Sequence, residues 1–237
     1  NYSVQKVPST VEDFSRGIVE GLDAFLSDNR LTSELVSEII HGTTVATNAI
    51  LQNQGVRTAL VTTRGFRDVL EFRRLRFPDL FSLDYTPPKP LVPRRQRFEV
   101  IERIMHDGSI RQPLDDRSVE SVLEKLEQVQ PEAIAICLLH SYANPIHEQK
   151  VLQAVKTRFP DVYVSASVDV LPEIREYERT STTVINSYIG PIVDNYLKSM
   201  QKRLDHANMP VPISIMQSNG GVMSYAAARR SPARIIE

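Results

Sequence analysis

The sequence predicts an α/β protein, with a mixed, largely parallel sheet flanked by helices. Three observations predict it. Short β-rich runs alternate with amphipathic helical stretches along nearly the whole chain. The run AIAICLLHS (133–141) is apolar at consecutive rather than alternate positions, as in a parallel strand covered on both faces. VRTALVTT (56–63), bounded by Gly55 and Gly65, reads as a second core strand.

Composition bounds the rest. The chain has 237 residues, 41% apolar and 24% charged, with a formal net charge of −1. That suits one large domain or two small ones and gives no electrostatic footprint for nucleic acid. Nothing approaches the roughly 20 apolar residues of a membrane span, and NYSVQKVPST lacks the apolar region of a signal peptide. A single cysteine cannot form an intramolecular disulfide, so a reducing cytoplasm is the expected compartment. Nine glycines are few against the typical ~7%, so phosphate-cradling loops are scarce.

Ser9 and Glu12 have capping-box spacing, in which each side chain satisfies an orphan backbone N–H. Phe14, Ile18, Leu22, Phe25 and Leu26 then repeat at helical spacing, giving one buried face. SEIIHG (37–42) reads as a short strand, and TVATNAILQN (44–53) as a helix ending near Gly55. GFRDVLEFRRLRF (65–77) predicts another helix. Prolines 78, 87, 88, 90 and 93 exclude regular helix or central strand there and predict a long connector. RFEVIERIMHDGSIRQ (97–112) reads as a hairpin turning at Asp107-Gly108. DDRSVESVLEKLEQV (115–129) places Val119, Val122, Leu123 and Leu126 on one helical face. Asn144-Pro145 offers a cap for the helix EQKVLQAVKTRF, and VYVSASV (162–168) is a strand. LPEIREYERTSTTVINSYIG and PIVDNYLKSMQKRL predict two helices meeting at Gly190-Pro191. PISIMQS (212–218) is a strand running into the turn Asn219-Gly220-Gly221, and SPARIIE closes on a strand-like run that suggests a piece of a longer chain.

Polar residues crowd one such junction, HGTTVATN (41–48). His41 ends a strand, where open α/β sheets bind ligands. Thr43 and Thr44 open the next helix, whose free N–H groups suit an anion. Thr44 and Asn48 are four apart and share a face. Ordinary helix capping explains the same residues, and spacing alone leaves both readings open. In QSNGG (217–221), Gln217 and Asn219 arrive at a strand end, as a site or as a plain turn. REYERTSTT (175–183) carries Glu176 and Arg179 among intrahelical ion-pair partners.

Other groups are weaker. Cys137 and His140 are three apart on a strand and point to opposite faces, so Cys137 is a buried filler and His140 a modest candidate. His106 belongs to the HDGS turn, and His147 and His206 are expected at exposed helical positions. The arginines at 64, 67, 73, 74 and 76 form a local basic run that could meet phosphate or a partner's acidic face, and a solvated helix face is the simpler reading. No HxxxH, CxxC or carboxylate cluster has metal spacing, and GxxxxGK[ST] and GxGxxG are both missing.

Taken together, KVPSTVEDFSRGIVEGL, IIHGTTVATNAILQNQGVRTALVTTRGFRDVLEFRR, PLVPRRQRFEVIERI, CLLHSYANPIHE, VLPEIREYERTSTTVINSYIGP and IMQSNGGVMS resemble the hydantoinase A/5-oxoprolinase family. Its relatives include the ATP-using subunits of acetone and acetophenone carboxylases. The resemblance implies an actin-like, ribonuclease-H-like ATPase architecture, with an N-terminal region over 1–172 and the start of a core domain over 173–237. It implies hydrolysis of a small cyclic amide whose carbonyl oxygen is activated by ATP, with a divalent cation, magnesium being the implied one. A hydantoinase B-type subunit or fused domain is the implied partner. By residue matching, His41 is the implied catalytic group. Thr43, Thr44, Asn48, Gln217, Asn219 and Gly220 would position substrate or phosphate, and Glu176 and Arg179 would support them. The family's two Gly-Gly-Thr phosphate loops are missing from this chain, so it is expected neither to hold ATP tightly nor to turn over by itself. The rival expectations are an ATP-using subunit of a ketone carboxylase and a non-catalytic subunit-interaction module.

Overall fold

The computed structural model describes residues 3–8, 14–74, 84, 86, 88–209 and 211–236. The capping-box residues Ser9 and Glu12 and the first half of the proline-rich connector lie outside them. The chain divides into two compact units, one of residues 1–48 with 192–237 and one of residues 49–191.

In the first unit, α1 (Phe14–Asp28) precedes β1 (Ile39–His41), and α2 (Val45–Leu51), which this unit holds as far as Asn48, follows it. On α1, Val19 and Leu26 are buried, while Ile18, Leu22 and Phe25 are half-buried.

In the second unit, the expected core strand is β2 (Thr58–Thr63), with all six residues buried. Of the helix expected over 65–77, the described residues form one turn, α3 (Val69–Phe72), closed by Arg73 at φ +53°, and residues 75–77 lie outside them. The expected hairpin over 97–112 is split in two. RFEV forms β3 (Arg97–Val100), parallel to β2, and only β4 (Arg103–Ile104) and β5 (Ile110–Gln112) pair antiparallel across Asp107-Gly108. The reason is register: in parallel alignment Val100 sits opposite Thr63 and is fully buried, which a two-stranded hairpin could not provide.

Next come α4 (Asp116–Val129), β6 (Ala133–Cys137), α5 (Ile146–Arg158), β7 (Tyr163–Ala166) and the short α6 (Ser167–Val170). The strand order is β3-β2-β6-β7, parallel throughout. Both faces of this sheet are covered, which is why its strands are apolar at consecutive positions. Ala59, Val61, Ile134 and Ile136 pack against Val119, Val122, Leu123 and Leu126 of α4 and Val151 and Val155 of α5. The alternate residues Leu60, Ala135 and Cys137 pack with Leu70, Val92 and Val184 on the other face. At the start of α4 the Asp115 side chain accepts the Arg117 N–H, and before α5 the Asn144 side chain accepts the Ile146 N–H at 3.2 Å.

The break expected at Gly190-Pro191 does not occur: α7 runs unbroken from Glu176 to His206, with Pro191 inside it. An internal proline costs about 3 kcal/mol. The flanking Val184, Ile189, Val193 and Leu197 are almost fully buried, each contributing about 1.5–3 kcal/mol, so burial outweighs the lost N–H. Among the described residues no helix is long and apolar enough to cross a membrane.

Back in the first unit, β8 (Ile213–Met216) pairs parallel with β1 and antiparallel with β9 (Val222–Ser224). Helix α8 (Tyr225–Arg230) follows, its first turn capped by Ser224, whose Oγ accepts the Ala227 N–H at 3.3 Å. The described part of SPARIIE, residues 231–236, is not a strand: Pro232–Ile235 form a 3-10 turn, with Pro232, Ala233 and Ile235 buried. The proline's fixed φ at the first position of that turn explains the difference.

Candidate active site

Two polar motifs leave the same edge of the three-stranded sheet. The parallel register pairs His41 with Ile215, so HGTT and QSN emerge side by side from the C-terminal ends of β1 and β8, about 4.8 Å apart as neighbouring strands. A Cβ on Gly42 would lie 3.8 Å from Met216 Sδ, which shows how closely the two exits pass.

His41 is half-buried, and its Nε2 lies 2.7 Å from the Tyr196 hydroxyl. Burial holds its pKa below the ordinary 6.5. The ring is therefore neutral at pH 7, able to accept a proton at one nitrogen while donating at the other. Thr43 Oγ1 accepts the Val45 N–H at 3.2 Å, so it is Thr43 that caps α2. Thr44 and Asn48 are both exposed and joined across one turn, Asn48 Nδ2 donating to Thr44 Oγ1 at 3.4 Å. Helix α2 is only seven residues long and one of its first N–H groups is already taken by Thr43, which weakens the anion site expected there.

The second motif is a tight hairpin turn. Gln217 N–H donates to the Gly221 carbonyl at 2.7 Å, Gly220 N–H to the Gln217 carbonyl at 3.1 Å, and Asn219 Oδ1 accepts the Gly221 N–H at 2.9 Å. Gly220 has φ +86°, a conformation that favours glycine. Part of this motif is thus turn chemistry, yet the amide NH2 of Asn219 and the half-buried carboxamide of Gln217 stay at the sheet edge. His41, Thr43, Thr44, Asn48, Gln217, Asn219 and Gly220 all belong to the first unit and to this one edge.

Glu176 and Arg179 belong to the second unit. Glu176 is exposed in the first turn of α7. Arg179 is buried, and its Nη2 donates to the Leu138 carbonyl at 2.9 Å, to Ser167 Oγ at 2.6 Å and to Ser141 Oγ. Its guanidinium also stands 5.4 Å from the Tyr142 ring and 3.9 Å from the Glu148 carboxylate. Glu148, fully buried, accepts N–H groups of Leu138 (2.7 Å) and Val168 (2.9 Å) and the Ser167 hydroxyl. Burial pushes its pKa up, against the pull of those donors and of Arg179. Beside it, His147 Nδ1 donates to Glu102 Oε2 at 2.8 Å, and Thr63 Oγ1 donates to Glu102 Oε1. His147 is therefore buried rather than exposed as expected, because it faces this acid from the first turn of α5. His140 ends its loop at φ +54°, with Nδ1 bonded to the Ile104 carbonyl at 2.9 Å. Cys137 is buried, receives a bond from Thr180 Oγ1, and has its thiol pKa raised by burial.

Sequence reasoning missed Tyr196, Glu102 and Glu148. Tyr196 meets His41 from 155 positions away, and Glu148 looks like an ordinary first-turn helix acid. No local signal distinguishes either.

Comparison with known proteins identifies the family. A family model described as the hydantoinase/oxoprolinase N-terminal region matches residues 1–159, and one described as hydantoinase/oxoprolinase matches 179–237. The caprolactamase subunit alpha of Pseudomonas jessenii is 37% identical over 94% of this chain and 33% of its own length. A 5-oxoprolinase of Arabidopsis thaliana is 29% identical over 91% of this chain and 19% of its own. The crystal structure of the ATP-dependent caprolactamase from P. jessenii matches with a TM-score of 0.87 at 33% identity, over 99% of this chain and 36% of that one. A nucleotide-free acetone carboxylase structure, 24% identical, shares the fold with a TM-score of 0.83. The chain spans about a third of the length of the caprolactamase subunit it matches. It belongs to the hydantoinase/oxoprolinase family.

Proposed function

We propose that this chain forms part of an ATP-dependent enzyme that opens small cyclic amides, and that the shared edge of β1 and β8 holds the amide. The observation that carries this is the convergence of HGTT and QSN on one strand-end edge, with a neutral histidine among hydroxyl and carboxamide groups. A lactam is a poor electrophile. ATP would supply a phosphoryl group to its carbonyl oxygen, so that water can add to the ring carbon, the C–N bond breaks with the amine nitrogen taking a proton, and phosphate leaves by hydrolysis of the acyl phosphate. The residues here supply positioning. Thr44, Asn48 and Gln217 present neutral donors and acceptors that suit an amide N–H and C=O. His41, held by Tyr196, takes or returns a proton at its remaining nitrogen.

The same donors do not suit a divalent cation. Among the described residues no three His, Cys, Asp or Glu side chains gather as metal ligands, so no step is assigned to magnesium through this chain. In this reading the nucleotide cradle and cation ligands, like the hydantoinase B-type partner, lie outside it, and residues 1–172 and 173–237 are parts of an actin-like framework.

The test is ATP hydrolysis by the full-length protein with its partner subunit. Phosphate release is expected to be stimulated by lactams, hydantoins or 5-oxoproline and to need no bicarbonate. Stimulation by ketones only with bicarbonate would make it a carboxylase subunit. No stimulation by either class would leave the edge a structural junction in an interaction module.

A further inference from the structure

The second unit carries a cationic groove that the catalytic reading does not use. It encloses about 800 Å³ beside β3, between the turn after β2, the 3-10 turn Arg94–Gln96 and α4. The chain as a whole is nearly neutral, yet among the described residues the groove is lined by seven cations (Arg64, Arg67, Arg94, Arg95, Arg97, Arg117 and Lys125) and two acids, Glu99 and Asp115.

Three of the cations are engaged. Arg94 forms a fork with Asp68 at 2.8 and 3.0 Å, Arg97 reaches Glu71 at 3.0 Å, and Arg67 stands 3.9 Å from both Asp68 and Glu99. The other four, Arg64, Arg95, Arg117 and Lys125, are exposed and form no ion pair among the described residues. Like charges collected this way repel one another, and an anionic occupant would relieve them.

We infer that this groove is a docking site for a short, acidic, extended segment of a partner polypeptide. Spacing favours a peptide over a single phosphate. Arg117 and Lys125 are eight residues apart on α4, about 12 Å along the helix at ~1.5 Å per residue. An extended chain at ~3.3 Å per residue sets acids at positions i, i+2 and i+4 over about 13 Å, whereas one phosphate reaches only one end. Topology agrees: among the described residues β3 is the edge strand of its sheet, where an added extended segment can also take main-chain hydrogen bonds. A long polyanion such as nucleic acid fits less well, because Asp116, Glu120 and Glu124 of α4 are exposed beside the cationic strip. The inference is independent of the lactam reading, since none of these residues belongs to the β1–β8 edge.

The experiment titrates the full-length protein into a fluorescein-labelled peptide alternating glutamate and threonine, read by anisotropy. The wild type is expected to bind, more weakly as salt rises. R95E/R117E should weaken binding about tenfold and bind the matching lysine–threonine peptide instead. R64Q/K125Q should weaken it in the same direction, and both variants should keep the wild-type unfolding midpoint and ATP turnover. The inference is overturned if the acidic peptide fails to bind, if both variants bind it as tightly as wild type, or if tripolyphosphate or oligothymidylate binds more tightly than the peptide.

Discussion

Arg179→Met tests the buried polar network at its centre. Methionine keeps the length and apolar bulk of the side chain and deletes the guanidinium. Lost with it are the hydrogen bonds to the Leu138 carbonyl, Ser141 and Ser167, and the approach to Glu148 at 3.9 Å. What remains is a fully buried Glu148 carboxyl accepting two backbone N–H groups and one hydroxyl, with no cation beside it. Removing one partner of a buried pair costs about 3–5 kcal/mol, most of it from the charge left behind. That cost depends on pH in a defined direction. Burial already raises the Glu148 pKa, and Arg179 opposes the rise, so the variant's carboxyl is raised further. A carboxyl with a raised folded-state pKa contributes stability that is fully present below its unfolded value of about 4.3 and lost as pH rises through the folded value. The variant's deficit should therefore be small near pH 5 and approach the full 3–5 kcal/mol near pH 8. The chain has no tryptophan, so urea unfolding followed by far-ultraviolet circular dichroism at the two pH values is the assay. E148Q/R179M, which removes the charge, should recover part of the loss at pH 8. A deficit equal at both pH values, or below about 1 kcal/mol at pH 8, would refute the reasoning.

Two further outcomes are expected. Thr43→Val should cost about 1 kcal/mol of stability, as a lost cap does, while Thr44→Val, at an exposed position, should stay within about 0.5 kcal/mol of wild type and lower lactam-stimulated turnover of the full-length protein. Thermal melts and phosphate release separate the two, and the opposite assignment of losses would return Thr44 to a capping role. Gly190→Ala gains about 1 kcal/mol in helix propensity, but its Cβ would lie 2.2 Å from the Tyr163 ring, an overpacking that costs about 1–3 kcal/mol. A lower melting temperature is expected, and a higher one would mean that the ring gives way freely.

Much of the fold was legible because its signals are local. The α4 stripe Val119, Val122, Leu123 and Leu126 is buried as its spacing requires, and the consecutive apolar residues of β2 and β6 do lie in a sheet covered on both faces. The errors came where a distant partner outweighed a local preference. Burial along α7 carried the helix through Pro191, and β2 drew RFEV out of its hairpin into parallel register. For the candidate site, the motifs were legible but their division of labour was not: Thr43, not Thr44, caps α2, and Asn219 spends its carbonyl oxygen on the turn.

By itself the sequence determined the α/β class, the strand-end placement of HGTT and QSN, and the family, since periodicity and motif order are properties of neighbouring residues. Only the tertiary structure decided that those two motifs share an edge, that Tyr196 holds His41, that His147 and Glu148 are buried, and that four cations with no ion pair among the described residues line one groove. Each of these depends on chain segments tens to more than a hundred residues apart, whose alignment is set by packing and strand register. Neither is encoded at any one position.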